Sequence, residues 1–291
     1  MIAPTSARVT VDDGVDLNCL EWGQVDASGP PVLLVHGLAS NARVWGGVAR
    51  RLAGLGHHVV AVDQRGHGGS SKPSGGYDFA TLTGDLLDVI ARYGWTEDHA
   101  PFAAGQSWGA NVVLELAARH PGSVTGIALV DGGMWDLADR FADWPTCEAA
   151  LAPPVLEGMP AERFETLVRA GHPGWPEEGI QGTLANMEFL SDGTIRPWLS
   201  RSNHMTILRH LWEHHPSKRF AEITLPVLLM PADDPTNQRW TAGKRDSVQR
   251  AAEALAAPIV RPLVGDHDLH AQHPSEVAGL IDDAARQGRS P

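Results

Sequence analysis

Short, dense apolar runs alternate along this chain with stretches whose apolar residues recur every three or four positions. Pro31–His36, His57–Asp63, Pro101–Gln106, Val124–Asp131, Pro226–Met230 and Pro258–Val264 are such runs, as expected of strands buried on both faces. Between them, Asn41–Gly54, Phe79–Tyr93, Ser107–Arg119, Gly243–Ala256 and Pro274–Arg286 read as helices. In Phe79–Tyr93 the period is carried by Leu82, Leu86, Val89 and Ile90. Arg8–Val11 and Val15–Trp22 flank Asp12-Asp13-Gly14, a hairpin turn. Strands alternating with helices predict an α/β fold with a mostly parallel central sheet flanked by helices.

The alternation breaks between Gly133 and about Lys218. That stretch is rich in Pro and Trp, with helix-like pieces at Ala161–Ala170 and Met205–His214. It holds Trp135, Trp144, Trp175, Trp198 and Trp212, half of the chain's ten tryptophans, so it reads as an inserted unit with its own packing. The expected division is a core of 1–133 and 219–291, and a helical cap of 134–218 inserted after the sixth strand.

The chemistry gathers around Gly105-Gln106-Ser107-Trp108-Gly109, a G-x-S-x-G between an apolar run and a helix. Such a turn holds its serine at a strained apex above a helix N-terminus, where negative charge is favoured. Without partners the same pentapeptide is an ordinary Gly-Ser turn. Serine needs a base and an acid to orient that base. His267, on the loop after the last strand, is the base candidate. Asp234, in Pro231-Ala232-Asp233-Asp234-Pro235, is the first acid candidate; Asp233 competes with it, and Asp131, at the end of the strand before the insertion, is a third option. Turn aspartates before proline often only cap turns. The N–H groups of Leu38 and Trp108 are expected to form an oxyanion hole. His36, Gly37, Met134 and Trp135 are the expected pocket residues, with His36 also read as a loop-fixing side chain.

Composition narrows the partners. A net charge of −12 argues against nucleic acid and anionic membranes, which need clustered Lys and Arg. No apolar run approaches the ~20 residues of a membrane span, and Met1–Thr10 lacks the pattern of a secretory signal. The expectation is a soluble cytoplasmic protein, with a homodimer allowed. Cys19 and Cys147 read as free buried thiols. Among His204, His210, His214 and His215, only His210 and His214 have i, i+4 spacing, so all four are expected to face solvent, and neither metal nor cofactor is expected.

Together these pieces resemble the α/β-hydrolase superfamily. His36-Gly37 is similar to its oxyanion motif, Asp63-Gln64-Arg65-Gly66-His67-Gly68-Gly69-Ser70 to its D-x-R-G-x-G-x-S loop, and Gly105–Gly109 to its nucleophile elbow. The resemblance runs from Val9 to Arg286, apart from the insertion. It implies Ser107 as nucleophile, Asp234 as acid, His267 as base, structural roles for Arg65 and His67, and a cap that sets specificity. Pro231 departs from the family, which often has Gly there. Members that cleave carbon–halogen bonds or epoxides resemble one another in placing Asp at the elbow, so Ser107 implies acyl transfer to water or hydrolysis of a carbon–carbon bond beside a ketone. The resemblance to proline iminopeptidases is partial. The implied activity is hydrolysis of a small, apolar or aromatic ester-like substrate. A lyase or cofactor-independent oxygenase on the same fold, or a ligand sensor with little turnover, are the alternatives.

Overall fold

The computed structural model describes residues 3–236 and 238–288. The ends of the expected core unit, 1–2 and 289–291, lie outside these, as do the first two residues of Met1–Thr10. Strands β1 (Thr5–Thr10), β2 (Asp16–Trp22), β3 (Val32–Val35), β4 (Val59–Asp63), β5 (Phe102–Gln106) and β6 (Gly126–Val130) precede the insertion. The insertion contributes the hairpin β7 (Met187–Phe189) and β8 (Ile195–Pro197). Strands β9 (Pro226–Met230), β10 (Ala232–Asp233), β11 (Ala257–Val260) and β12 (Leu263–Val264) follow.

Eight strands form one sheet in the order β1-β2-β4-β3-β5-β6-β9-β11. It is parallel from β4 to β11, with β2 antiparallel on β4 and β1 antiparallel on β2. Consecutive side chains of a strand point to opposite faces, so the all-apolar β3 divides itself. Leu33 and Val35 join one core, Val32 and Leu34 the other. Helices α2 (Phe79–Arg92), α3 (Trp108–Arg119) and α8 (Gln238–Ala254) supply the first core. Helices α1 (Gly46–Gly54) and α9 (Pro274–Gln287) supply the second.

Register decides where the loops emerge. Val35 pairs with Gly105, Gln106 with Val130, and Val130 with Met230, so the carboxyl ends of β3, β5, β6 and β9 are level. The chain runs from β3 outward to β4 and then back past β3 to β5. This reversal is the crevice where open parallel sheets bind ligands.

Between β6 and β9 the insertion forms α4 (Trp144–Leu151), α5 (Ala161–Gly171), α6 (Glu177–Leu184) and α7 (Arg201–Glu213). It is not helical throughout, as the β7–β8 hairpin shows; Gly193, at φ 83° in the connecting turn, supplies the left-handed residue such a turn needs. Phe164, Ile180 and Leu184 of the insertion pack on Val44 and Ala271 of the core. Leu137, Cys147 and Leu208 pack among themselves, with Leu38 against them. Both cysteines are free and buried. Among the described residues, no helix is long and apolar enough to cross a membrane.

Candidate active site

Ser107 sits between β5 and α3 at φ 53° and ψ −118°, a conformation that L-residues resist. The flanking glycines explain why the turn closes. A Cβ on Gly105 would lie 2.2 Å from the Gly109 carbonyl oxygen, and one on Gly109 would lie 2.4 Å from that of Val35. Helix and strands therefore touch backbone to backbone, and the serine is held above the crossing. Gly132 is equally confined, since its Cβ would stand 2.2 Å from the Ser107 carbonyl oxygen.

Three non-glycine residues among those described have positive φ: Ala39, Ser107 and Asp131. They lie on the loops after β3, β5 and β6, at the level edge of the sheet. Strain confined to one edge points to function there rather than to a folding need.

The carboxylate that meets His267 is the main correction to the sequence reading. His267 Nδ1 donates to Asp131 Oδ2 at 2.6 Å, whereas Asp234 Oδ1 accepts the Thr236 N–H at 2.8 Å and its hydroxyl at 2.7 Å. Asp234 thus turns back on its own loop, and Asp233 meets Arg245 at 3.2 Å. Asp131 is fully buried at the end of β6. Besides His267 it accepts the Ala232 N–H at 2.9 Å and the Lys244 ammonium at 2.6 Å and 2.7 Å. Burial alone would raise the Asp131 carboxyl, but His267 and Lys244 outweigh it and hold its pKa below the ordinary value. Burial likewise opposes the charged form of His267, but the bond to Asp131 prevails and holds the imidazole above its ordinary value. With Nδ1 committed to Asp131, Nε2 remains for proton exchange.

Lys244 escaped the sequence reading. A lysine inside a helix is ordinarily a solvated surface residue, yet this one is 4% exposed and pairs with Asp131. Its ammonium also lies 5.5 Å from the ring centre of Trp135.

The loop after β3 is held by two histidines through hydrogen bonds to its backbone. His36 is buried; its Nδ1–H donates to the Gly37 carbonyl at 2.7 Å, and its Nε2 accepts the Gln64 N–H at 3.0 Å. His67 Nε2 accepts the Ala39 N–H at 3.2 Å. Burial lowers the pKa of both rings, so they stay neutral and hold the loop as donor and acceptor. Gln106 ties the elbow to the histidine loop through the His267 carbonyl at 3.1 Å. Trp108, first residue of α3, presents an N–H with no carbonyl one turn back. It and Leu38 line the same cavity as Ser107.

That cavity, about 240 Å³, is bounded by Ser107, Asp131 and His267 below, and by Trp135, Leu151 and His204 among the insertion residues above. His36, Gly37 and Met134 do not line it. Met134 is instead packed into the core, and Gly37 lies over Gln106, whose Oε1 its Cβ would meet at 2.4 Å. Of the four histidines expected to face solvent, the side chains of His204 and His214 are buried instead, while His210 and His215 are partly exposed. His214 binds Asn111 at 3.1 Å and Glu115 at 2.9 Å, and His215 binds Asp136 at 2.9 Å.

A family profile described as "alpha/beta hydrolase fold" matches residues 30–171. The chain is 31% identical over 212 residues to an epoxide hydrolase A of Mycobacterium tuberculosis, covering 72% of this chain and 60% of that protein. It is 35% identical over 188 residues to a fluoroacetate dehalogenase of a Burkholderia species, covering 60% and 59%. The match thus spans about three-fifths of either relative. The solved structure of an E-2-(acetamidomethylene)succinate hydrolase superposes with a TM-score of 0.75 at 23% identity, over 97% of this chain and 99% of that one. The level sheet edge, the strained elbow and the profile match agree: the chain belongs to the α/β-hydrolase superfamily.

Proposed function

We propose that this protein is a serine hydrolase acting on an ester or related acyl bond of a small, largely apolar substrate. The observation that carries the reading is the His267–Asp131 bond of 2.6 Å, opening on the same cavity as the strained Ser107. Ser107 Oγ attacks the carbonyl carbon while His267 Nε2 takes its proton. The oxyanion is met by the N–H groups of Leu38 and Trp108. His267 then protonates the leaving group, and the acyl stays on Ser107 as an ester. Water, deprotonated by His267, attacks that ester and releases the acid. Throughout, buried Asp131 stabilises the imidazolium.

The serine also argues against the reactions for which the two relatives are named. Opening an epoxide or displacing fluoride means attack on a saturated carbon. A carboxylate nucleophile would leave an ester that water can cleave. Ser107 would leave an ether, with no carbonyl for water to attack, and the enzyme would stop after one turnover. The apolar walls contributed by Leu38, Trp135, Leu208 and Leu211 favour an apolar acyl or alcohol group.

The test is fluorophosphonate labelling read by intact mass, beside turnover of p-nitrophenyl esters of increasing acyl length. Wild type is expected to take one label and to turn over esters; Ser107→Ala is expected to do neither. No label and no turnover in a folded wild-type protein would overturn the reading.

A further inference from the structure

His204 is a polar residue set into an otherwise apolar roof. It lies on α7 with its side chain on the stripe of Ile207, Leu208 and Leu211 that packs inward. It is 9% exposed. Burial pushes its pKa down to about 4, so the ring is neutral near pH 7. Its ring nitrogens have no hydrogen-bond partner among the described residues. They are not sealed in protein but open on the cavities that His204 lines, so a partner must come from what fills them.

Its position suggests where the partner comes from. His204 and Leu151 line the cavity around Ser107 and also a second cavity of about 440 Å³ between core and insertion. The second cavity runs past Ala39, Pro153, Met187 and Trp198. His204 thus stands where the two cavities adjoin, with Ser107 on one side.

Resting on the acyl-hydrolase reading, we propose that His204 is a specificity-determining residue that hydrogen-bonds a neutral oxygen function, such as a ketone or amide carbonyl, on an elongated substrate. The scissile carbonyl of that substrate lies at Ser107, and its far end lies in the second cavity. A neutral imidazole can donate to such an oxygen without adding charge beside the apolar residues Leu151, Leu208 and Leu211. A plain hydrocarbon at the same place would leave the ring unpaired, which turns one polar atom into discrimination.

The probes are p-nitrophenyl alkanoates carrying a keto group at successive chain positions, each beside its all-methylene analogue. Two quantities are read as keto-to-methylene ratios. One is kcat/KM in wild type. The other is affinity for Ser107→Ala, followed by quenching of the cavity tryptophans. At the favoured position both ratios are expected to be about five- to tenfold. In His204→Leu they are expected to fall to about one, and His204→Gln is expected to restore part of the preference. Because ratios are read, a general loss of folding or catalysis does not mimic the effect. Ratios near one in wild type at every position, or ratios unchanged in His204→Leu, would overturn the proposal while ester turnover keeps the hydrolase reading standing. A His204-dependent affinity ratio without turnover would do the reverse.

Discussion

Two carboxylate–histidine pairs flank helix α3, and they do opposite things. Asp131 and His267 meet at its amino end, where the histidine side chain is half exposed to the cavity. Glu115 and His214 meet further along the same helix. There both ring nitrogens are taken, by Asn111 and Glu115, and the ring lies 4.1 Å, centre to centre, from that of Phe79. Burial would raise the Glu115 carboxyl, but His214, Arg219 and Arg119 together bring it down to about 2. The chemistry of the two pairs is nearly the same. What separates them is whether the histidine keeps one nitrogen for a third party. On the proposed mechanism the first pair moves a proton; the second clasps the end of the insertion to the core.

The strongest way to break this comparison is to disable the first pair. Asp131→Asn is expected to cut kcat by about 10⁴-fold, since an amide cannot stabilise the imidazolium or fix the right tautomer. Activity near wild type in that variant would remove Asp131 from its role. The matching change in the second pair, Glu115→Gln, is expected to lower unfolding stability by roughly 2 kcal/mol. That is less than the loss of a fully buried pair, because Arg119 and Arg219 stay partly hydrated. Urea titration measures it. The cost is expected to shrink at low pH. The native Glu115 pKa is depressed, so its contribution is complete above the ordinary glutamate value and fades as pH falls toward about 2. A constant cost across that range would contradict the ion-pair account.

Lys244 sharpens the comparison more finely. On the proposed mechanism turnover needs neutral His267, and Asp131 holds that imidazole above its ordinary value, so the acid limb of kcat/KM is expected above the usual histidine range. Lys244 works the other way, lowering the His267 pKa. Lys244→Met is therefore expected to move the limb to higher pH, and a shift to lower pH would count against this arrangement. The smallest effect is expected from Asp234→Asn, within about twofold of wild-type turnover, because that carboxylate serves its own turn.

The same pairs show how far the sequence could be read. Strand runs, elbow and histidine loop were legible because each is local: β3 is four apolar residues in a row, and the elbow glycines are dictated by backbone contacts within a few residues. The acid was not local. Asp131, Asp233 and Asp234 all end strands on the same edge, and only the curvature of the loops decides which one meets His267. One signal was available, since Thr236 two residues after Asp234 is a common partner for a turn aspartate. His204 was misread as solvent-facing although it shares an i, i+3, i+4, i+7 stripe with Ile207, Leu208 and Leu211. A histidine on an apolar stripe belongs to the buried face. Lys244 offered no comparable signal, because its acid lies more than a hundred positions away in the chain.

The positive φ of Ser107 has an evolutionary side. Glycine adopts that backbone readily, so Ser107→Gly is expected to melt slightly higher than the parent while losing all turnover. Selection for heat tolerance alone would favour glycine at this position, at the cost of the proposed nucleophile.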